Sequence, residues 1–183
     1  MASLGLPVVG FVAASGTGKT TLIEQLVPRL RDLGLRVGYL KHAHHTFDID
    51  TPGKDSHRVR SAGALQVLLA SRRRWVLQVE SNEHAAEPSL RELLAHFDAR
   101  TLDLVLVEGF KHESHPKIEV HRAALGVPPL YPSDSSIVAI ATDAALPPGH
   151  PRRLDLNDPG AVAELIALKV REWSAAGSGD WAS

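Results

Sequence analysis

Gly16, Gly18, Lys19 and Thr20 stand in the stretch "AASGTGKTTLIEQL", residues 13–26, at spacings that suit phosphate. The pattern G-x-x-x-x-G-K-[ST] works because its glycines let the backbone turn and approach an anion with no Cβ in the way. Successive N–H groups at a helix start then form an anion-binding nest, and the helix dipole adds to it. On this reading Ser15, Gly16, Thr17, Gly18, Lys19, Thr20 and Thr21 bind a nucleotide. Lys19 would reach the β- and γ-phosphates as a point charge, and the Thr20 hydroxyl would be a Mg²⁺ ligand. Ala13 fills the first glycine position, which a strand end tolerates if φ stays negative. The bland alternative is a glycine-rich turn with a chance lysine. The flanks oppose it, since an apolar strand precedes the loop and an amphipathic helix follows.

A second carboxylate for the metal belongs on a neighbouring strand. "LVLVEG" offers Glu108 there, facing Mg²⁺ as a rule through water. The plain alternative is a strand-end glutamate in a solvated loop. Asp143, in "ATDA", could accept from two guanine N–H groups or could be a turn aspartate. The guanine-reading N-K-x-D motif is absent.

The stretch "KHAHHTFDIDTPGKDS" crowds Lys41, His42, His44, His45, Asp48 and Asp50 together. Three readings stay open: a transition-metal site, contacts to phosphates, Mg²⁺ or an anionic partner molecule, and a solvated polar loop. "HESH", residues 112–115, is not a metalloprotease helix motif. "SRRRW", residues 71–75, reads as a hairpin tip or as a contact for a phosphate-bearing ligand.

The elements that must position these groups follow from periodicity. Residues 6–13 are a continuous apolar run, as in a strand buried on both faces. Residues 19–33 carry apolar side chains at helical spacing and end at Gly34. Residues 36–41 read as a second strand and 55–62 as a short helix. "LQVLLAS" and "WVLQVE" flank the three arginines as a hairpin. Residues 88–97 read as a helix with Pro88 in its first turn, and "LDLVLVEG" as another buried strand. "KIEVHR" alternates like a half-exposed strand, "SIVAIAT" reads as a buried one, and Asp158-Pro159 opens a last helix to about Trp173. Strand–helix alternation predicts an α/β fold with a mostly parallel sheet, with the hairpin and "KIEVHR" as antiparallel edge additions. Ligands on such sheets sit at the carboxyl ends of the strands.

Bulk properties narrow the classes. The chain has 183 residues, enough for one domain with a real core; residues 1–174 are expected to form it, with 175–183 a disordered tail. A net charge of −1 gives no basic field for nucleic acid or an anionic membrane surface. There is no cysteine, hence no disulfide and no thiolate chemistry. No apolar run approaches a membrane span, and the N-terminus lacks signal-peptide organisation. A cytoplasmic protein is expected.

The stretches "AASGTGKTTLIEQLVP", "KHAHHTFDIDTPGKDSHRVRSAGA", "ASRRRW" and "LDLVLVEGFKHESHPKI" closely resemble the molybdopterin-guanine dinucleotide biosynthesis adapter (MobB) family. The resemblance runs from Val8 to Thr142, with a weaker echo through "LDLNDP" to the last helix. The phosphate loop alone is unspecific; its combination with "KHAHH", "DTPGKDS" and "VEGFKHE" is specific. Family members carry alanine at the Ala13 position. The resemblance implies a phosphate-loop NTPase-like three-layer fold and a homodimer with an extended sheet. It implies GTP binding with Mg²⁺, weak GTPase activity, and assistance to the guanylyltransferase MobA, which attaches GMP to the molybdenum cofactor. Residues 16–21 and Glu108 carry over position by position; Lys41, His42, His44, His45 and Asp50 carry over only as near-site residues. The loop lysine that marks some dimeric ATPases would fall at Ala14 and is absent. Two other functions use the same residues: an ATP-dependent small-molecule kinase or ligase, and a carrier that holds the pterin cofactor with Arg72, Arg73, Arg74 and the histidine loop.

Overall fold

The computed structural model describes residues 5–43, 47–81 and 86–176. In chain order the elements are β1 (Val8–Val12), α1 (Lys19–Asp32), β2 (Val37–Lys41), α2 (Asp55–Ser61), β3 (Gln66–Ala70), β4 (Trp75–Val79), α3 (Leu90–Leu94), β5 (Leu104–Glu108), β6 (Lys117–His121), β7 (Ile137–Thr142), β8 (Arg152–Asp155) and α4 (Pro159–Ala176). They fall into two compact units, residues 1–42 with 89–183, and residues 43–88.

The larger unit is built on a six-stranded sheet in the order β2-β5-β1-β6-β7-β8. Every neighbouring pair in it is parallel. Alternation along the strands feeds two cores. Val9, Phe11, Leu104, Leu106, Ile118 and Val120 face α1 and α4, against Leu22, Leu26 and Ile166. Leu40, Val105 and Val107 face the other way, against Leu90 and Leu94 of α3. The result is a helix–sheet–helix sandwich of three layers. β1 leads left to β2 and β6 leads right to β7, so the topological switch falls between β1 and β6. A ligand crevice is expected outside the carboxyl ends of those strands.

Helix starts follow their caps. Asp158 Oδ1 accepts from the Ala161 N–H at 3.0 Å, and Pro159 opens α4 with no donor to lose. α3 starts later than the sequence suggests. Ser89 and Glu92 form a reciprocal capping box, which fixes Ser89 as the cap and leaves Pro88 outside the helix. α4 runs to Ala176, past the expected end near Trp173; residues 177–183 lie outside the described residues.

β6 departs most from expectation. Its alternation suggests an exposed edge, yet it lies inside the sheet, parallel to β1 and β7, and four of its five residues are buried. The charged positions are buried because they are satisfied. Lys117 Nζ donates to Lys111 O at 2.7 Å and to Asp134 Oδ2 at 2.9 Å. Glu119 accepts the backbone N–H groups of Leu130 at 2.6 Å and Tyr131 at 2.9 Å. A buried charge fully engaged this way escapes most of the penalty of leaving water. β8, "RRLD", has no sequence signal of its own, because only Leu154 points inward.

Residues 109–116 join β5 to β6 with no helix. His115 of that crossover lies over Gly10 of β1, whose missing Cβ leaves room for the ring; a Cβ there would come 2.8 Å from His115 Cδ2. Both ring nitrogens are buried without a hydrogen-bond partner. Burial first, and then the Lys117 charge, push the His115 imidazole down to about 4. The unfolded chain therefore binds this proton near pH 6.5 and the folded chain only near pH 4. His115 costs nothing above pH 6.5, and stability falls by roughly 3 kcal/mol as pH drops from 6.5 to 4. His115→Asn should flatten that acid limb of a plot of melting temperature against pH. An unchanged limb would mean that other groups set it.

The smaller unit holds α2 and the β3–β4 hairpin. The hairpin is antiparallel, pairing Leu68 with Leu77 and Ala70 with Trp75. It is a sheet of its own rather than an addition to the edge of the large one. Ser71 closes the turn, its N–H donating to Arg74 O at 2.7 Å, and the three arginines at the tip are exposed. No described residue of this unit is buried.

Candidate functional site

The loop between β1 and α1 takes the backbone path its glycines allow. Gly16 (φ +79°) and Gly18 (φ +90°) both adopt the left-handed conformation that side chains resist. Gly18 caps α1 through its backbone, with no side-chain cap. Such a helix start leaves its first N–H groups able to meet an anion. Thr17 is buried and its hydroxyl donates to Ala14 O at 3.1 Å, which holds the loop in shape. Ser15 and Thr21 are exposed.

Glu108 is the hub of the site. It ends β5 and is 8% exposed. The Thr20 hydroxyl donates to its Oε1 at 3.2 Å and its Oε2 at 3.3 Å, and the Tyr39 hydroxyl donates to Oε2 at 2.7 Å. Lys19 Nζ lies 3.9 Å and Lys41 Nζ 3.8 Å from Oε1. Both lysines stand beyond hydrogen-bond reach, so they balance the carboxylate without being locked to it. The register explains the convergence. Lys41 pairs with Glu108 and Tyr39 with Leu106, which puts all three polar groups on the α1 side of the sheet. Burial, then the Glu108 hydrogen bond and charge, raise the Tyr39 phenol far above its ordinary range, so it remains a donor. The Thr20 hydroxyl beside a buried carboxylate is an all-oxygen donor set, which fits a hard cation such as Mg²⁺.

Gly109 (φ +104°) and Phe110 (φ +49°) turn the chain sharply after Glu108. The turn seats His42, whose N–H donates to Glu108 O at 2.8 Å and whose ring lies 4.7 Å from that of Phe110. Of the near-site residues, Lys41 and His42 thus meet the strand end directly. His44 and His45 lie outside the described residues. Asp50 belongs to the smaller unit, where Oδ1 accepts from Thr51 N and Ser56 Oγ, both at 2.9 Å, and Oδ2 is buried without a partner. Among the described residues no cluster of three or more His, Asp or Glu could hold a metal ion. Asp143 follows the end of β7; its Oδ1 accepts from Ala123 N at 2.8 Å and its Oδ2 lies 3.8 Å from Arg122 Nη1.

Two participants carry no sequence signal. Tyr39 is an ordinary strand residue until the β2–β5 register brings it to Glu108. Arg122 follows β6 and leans over the loop, with Nε donating to Thr17 O at 3.4 Å.

The family model for MobB, molybdopterin guanine dinucleotide synthesis protein B, matches residues 8–143. The chain belongs to the MobB family. It is 42% identical to the molybdopterin-guanine dinucleotide biosynthesis adapter protein of Escherichia coli over 92% of this chain and 93% of that one. The Haemophilus influenzae protein of the same description is 41% identical over 88% of each chain. Among solved structures, the MobB protein homolog from Bacillus stearothermophilus superposes with a TM-score of 0.64 at 27% identity, covering 90% of this chain and 98% of that one. The match spans the MobB phosphate loop, Glu108 and Asp143 alike.

Proposed function

We propose that this MobB protein is a GTP-binding adapter in molybdopterin guanine dinucleotide synthesis, working in the cytoplasm. One observation carries the nucleotide reading: a glycine-shaped loop whose Lys19 and Thr20 converge with the buried Glu108 at the carboxyl end of the central strands. Residues 15–21 hold the phosphates, and Thr20 with Glu108 holds Mg²⁺, which supplies charge neutralisation for the phosphates when bound. Lys19 and Lys41 add positive charge beside them. We read it as an adapter to the guanylyltransferase that consumes GTP, with weak GTPase activity at most. Melting curves with Mg²⁺ plus GTP, GDP or ATP test the reading. Saturation at 100 times the dissociation constant stabilises by about 2.7 kcal/mol, a rise of roughly 5–11 °C. GTP is expected to give it and ATP is not; an equal shift with ATP would favour the kinase or ligase alternative.

Glu108→Gln should cut the Mg²⁺-dependent part of the GTP shift and spare the part that survives in EDTA. Equal losses in both conditions would remove Glu108 from the metal shell.

The smaller unit supports a homodimer. Leu68 (61% exposed), Trp75 (68%) and Val79 (54%) lie on a sheet that has two strands among the described residues. Such a hairpin is marginal in water alone, and apolar surface of this kind is covered by a second copy of the chain. Leu68→Glu is expected to shift the mass measured by light scattering from dimer to monomer; a wild-type monomer at micromolar concentration would end the proposal.

A further inference from the structure

Tyr39 stands beside the site without belonging to the loop or to the metal donors. Among the described residues its hydroxyl makes the shortest hydrogen bond to the Glu108 carboxylate, 2.7 Å to Oε2, against 3.2 and 3.3 Å from Thr20. A bond of that length to a carboxylate is charge-assisted and among the stronger kind. The strand around it is pinned. Leu40 is buried in the core on the α3 side, and a Cβ on Gly38 would come 3.0 Å from Phe97 and Leu102, so β2 lies close against that layer. Tyr39 pairs with Leu106, two residues before Glu108, so the sheet aims the phenol at the carboxylate. The two oxygens of Glu108 are thereby made unequal. Oε2 takes the phenol, and Oε1 is left toward the cations, with Lys41 Nζ at 3.8 Å and Lys19 Nζ at 3.9 Å.

We infer that Tyr39 is a positioning residue that makes the site selective for Mg²⁺ over Ca²⁺, by holding Oε2 of Glu108 so that the carboxylate offers a cation one oxygen. The inference rests on the nucleotide reading above and adds which cation the site admits and why. Mg²⁺ demands near-octahedral geometry at about 2.0–2.1 Å, keeps several waters and is held through one or two carboxylates. Ca²⁺ takes roughly six to eight oxygens at about 2.3–2.6 Å and readily draws both oxygens of one carboxylate. A Glu108 with one oxygen tied serves Mg²⁺ in full and Ca²⁺ by half. Thr20 does not do the same, because its hydroxyl is shared almost equally between the two oxygens and holds neither apart. Hydrogen bonds from beyond the ligands orient metal-binding carboxylates in this way, and losing one typically weakens the metal about 10- to 100-fold.

The test is titration calorimetry of GTP in Mg²⁺, in Ca²⁺ and in EDTA, with wild type and Tyr39→Phe. The variant keeps the ring and removes only the hydroxyl. Affinity in EDTA reports the loop without metal, and so reports that the variant is folded. Wild type is expected to bind GTP more tightly with Mg²⁺ than with Ca²⁺. Tyr39→Phe should weaken GTP with Mg²⁺ by about 10- to 100-fold, and change it by less than about threefold with Ca²⁺ and twofold in EDTA, so that the preference shrinks or reverses. Equal weakening under all three conditions would make Tyr39 a general support of the loop and overturn the inference. Equal weakening with both metals and none in EDTA would overturn the selectivity, as would no loss with Mg²⁺. A wild-type protein that binds GTP equally with either metal would overturn the selectivity and leave the nucleotide reading standing. One that binds GTP under none of the three conditions would overturn the nucleotide reading and the selectivity with it.

Discussion

Lys19→Ala is expected to lower GTP affinity by at least about 100-fold and to leave the melting temperature without nucleotide within roughly 2 °C of wild type. Two hydrogen bonds to charged phosphate oxygens, at about 1.5–3 kcal/mol each, set the first figure. The second follows from the Glu108 neighbourhood. With Lys19 gone, Lys41 still stands 3.8 Å from Oε1, and Thr20 and Tyr39 still donate to the carboxylate. No buried charge is stranded, so the change behaves as a surface substitution of about 0.5 kcal/mol. Calorimetric titration and thermal melting read the two quantities separately. Undiminished binding would remove Lys19 from the phosphate site.

Gly109→Ala should have the opposite signature, a large loss of stability. The residue has φ +104°, where a side chain is strained, and its added Cβ would fall 2.6 Å from His42 Cβ. Strain and overpacking together cost about 3–5 kcal/mol, a fall in melting temperature of roughly 6–20 °C. Gly34→Ala separates the two terms. Gly34 shares the left-handed conformation (φ +86°), but a Cβ there meets nothing within 4 Å, so only about 1 kcal/mol of strain is expected. Equal losses in the two variants would show that the His42 contact contributes nothing. Because His42 and Phe110 are seated by the same turn, Gly109→Ala should also loosen Glu108 and weaken GTP binding in whatever fraction stays folded.

The glycine turn at residues 16–18, the carboxylate that ends β5, the buried strands β5 and β7 and the start of the final helix were legible because each writes its physics locally: glycines where φ is positive, apolar runs where both faces are covered, Asp-Pro where a helix opens. β6 was misread because alternation reports side-chain polarity rather than burial. Lys117 and Glu119 look solvated until the 111–136 loops supply their partners. Tyr39 and Arg122 were illegible for a related reason. Their place at the site depends on strand register and on a crossover, and neither is written in the residues themselves.

β1 lies at the middle of the sheet, with Val8 beside Val105 of β5 and Gly10 beside Lys117 of β6. During synthesis the first strand therefore waits, both edges unpaired, while most of the chain emerges. Contacts this far apart in sequence close slowly, and an apolar strand kept waiting is a place for nascent chains to associate wrongly. The phosphate loop has its glycines from the outset, but β1 can support it only once β5 and β6 have docked on either side. Nucleotide capture by a growing chain would thus mark the docking of β5 and β6 beside β1, and chains halted before residue 121 should not capture it.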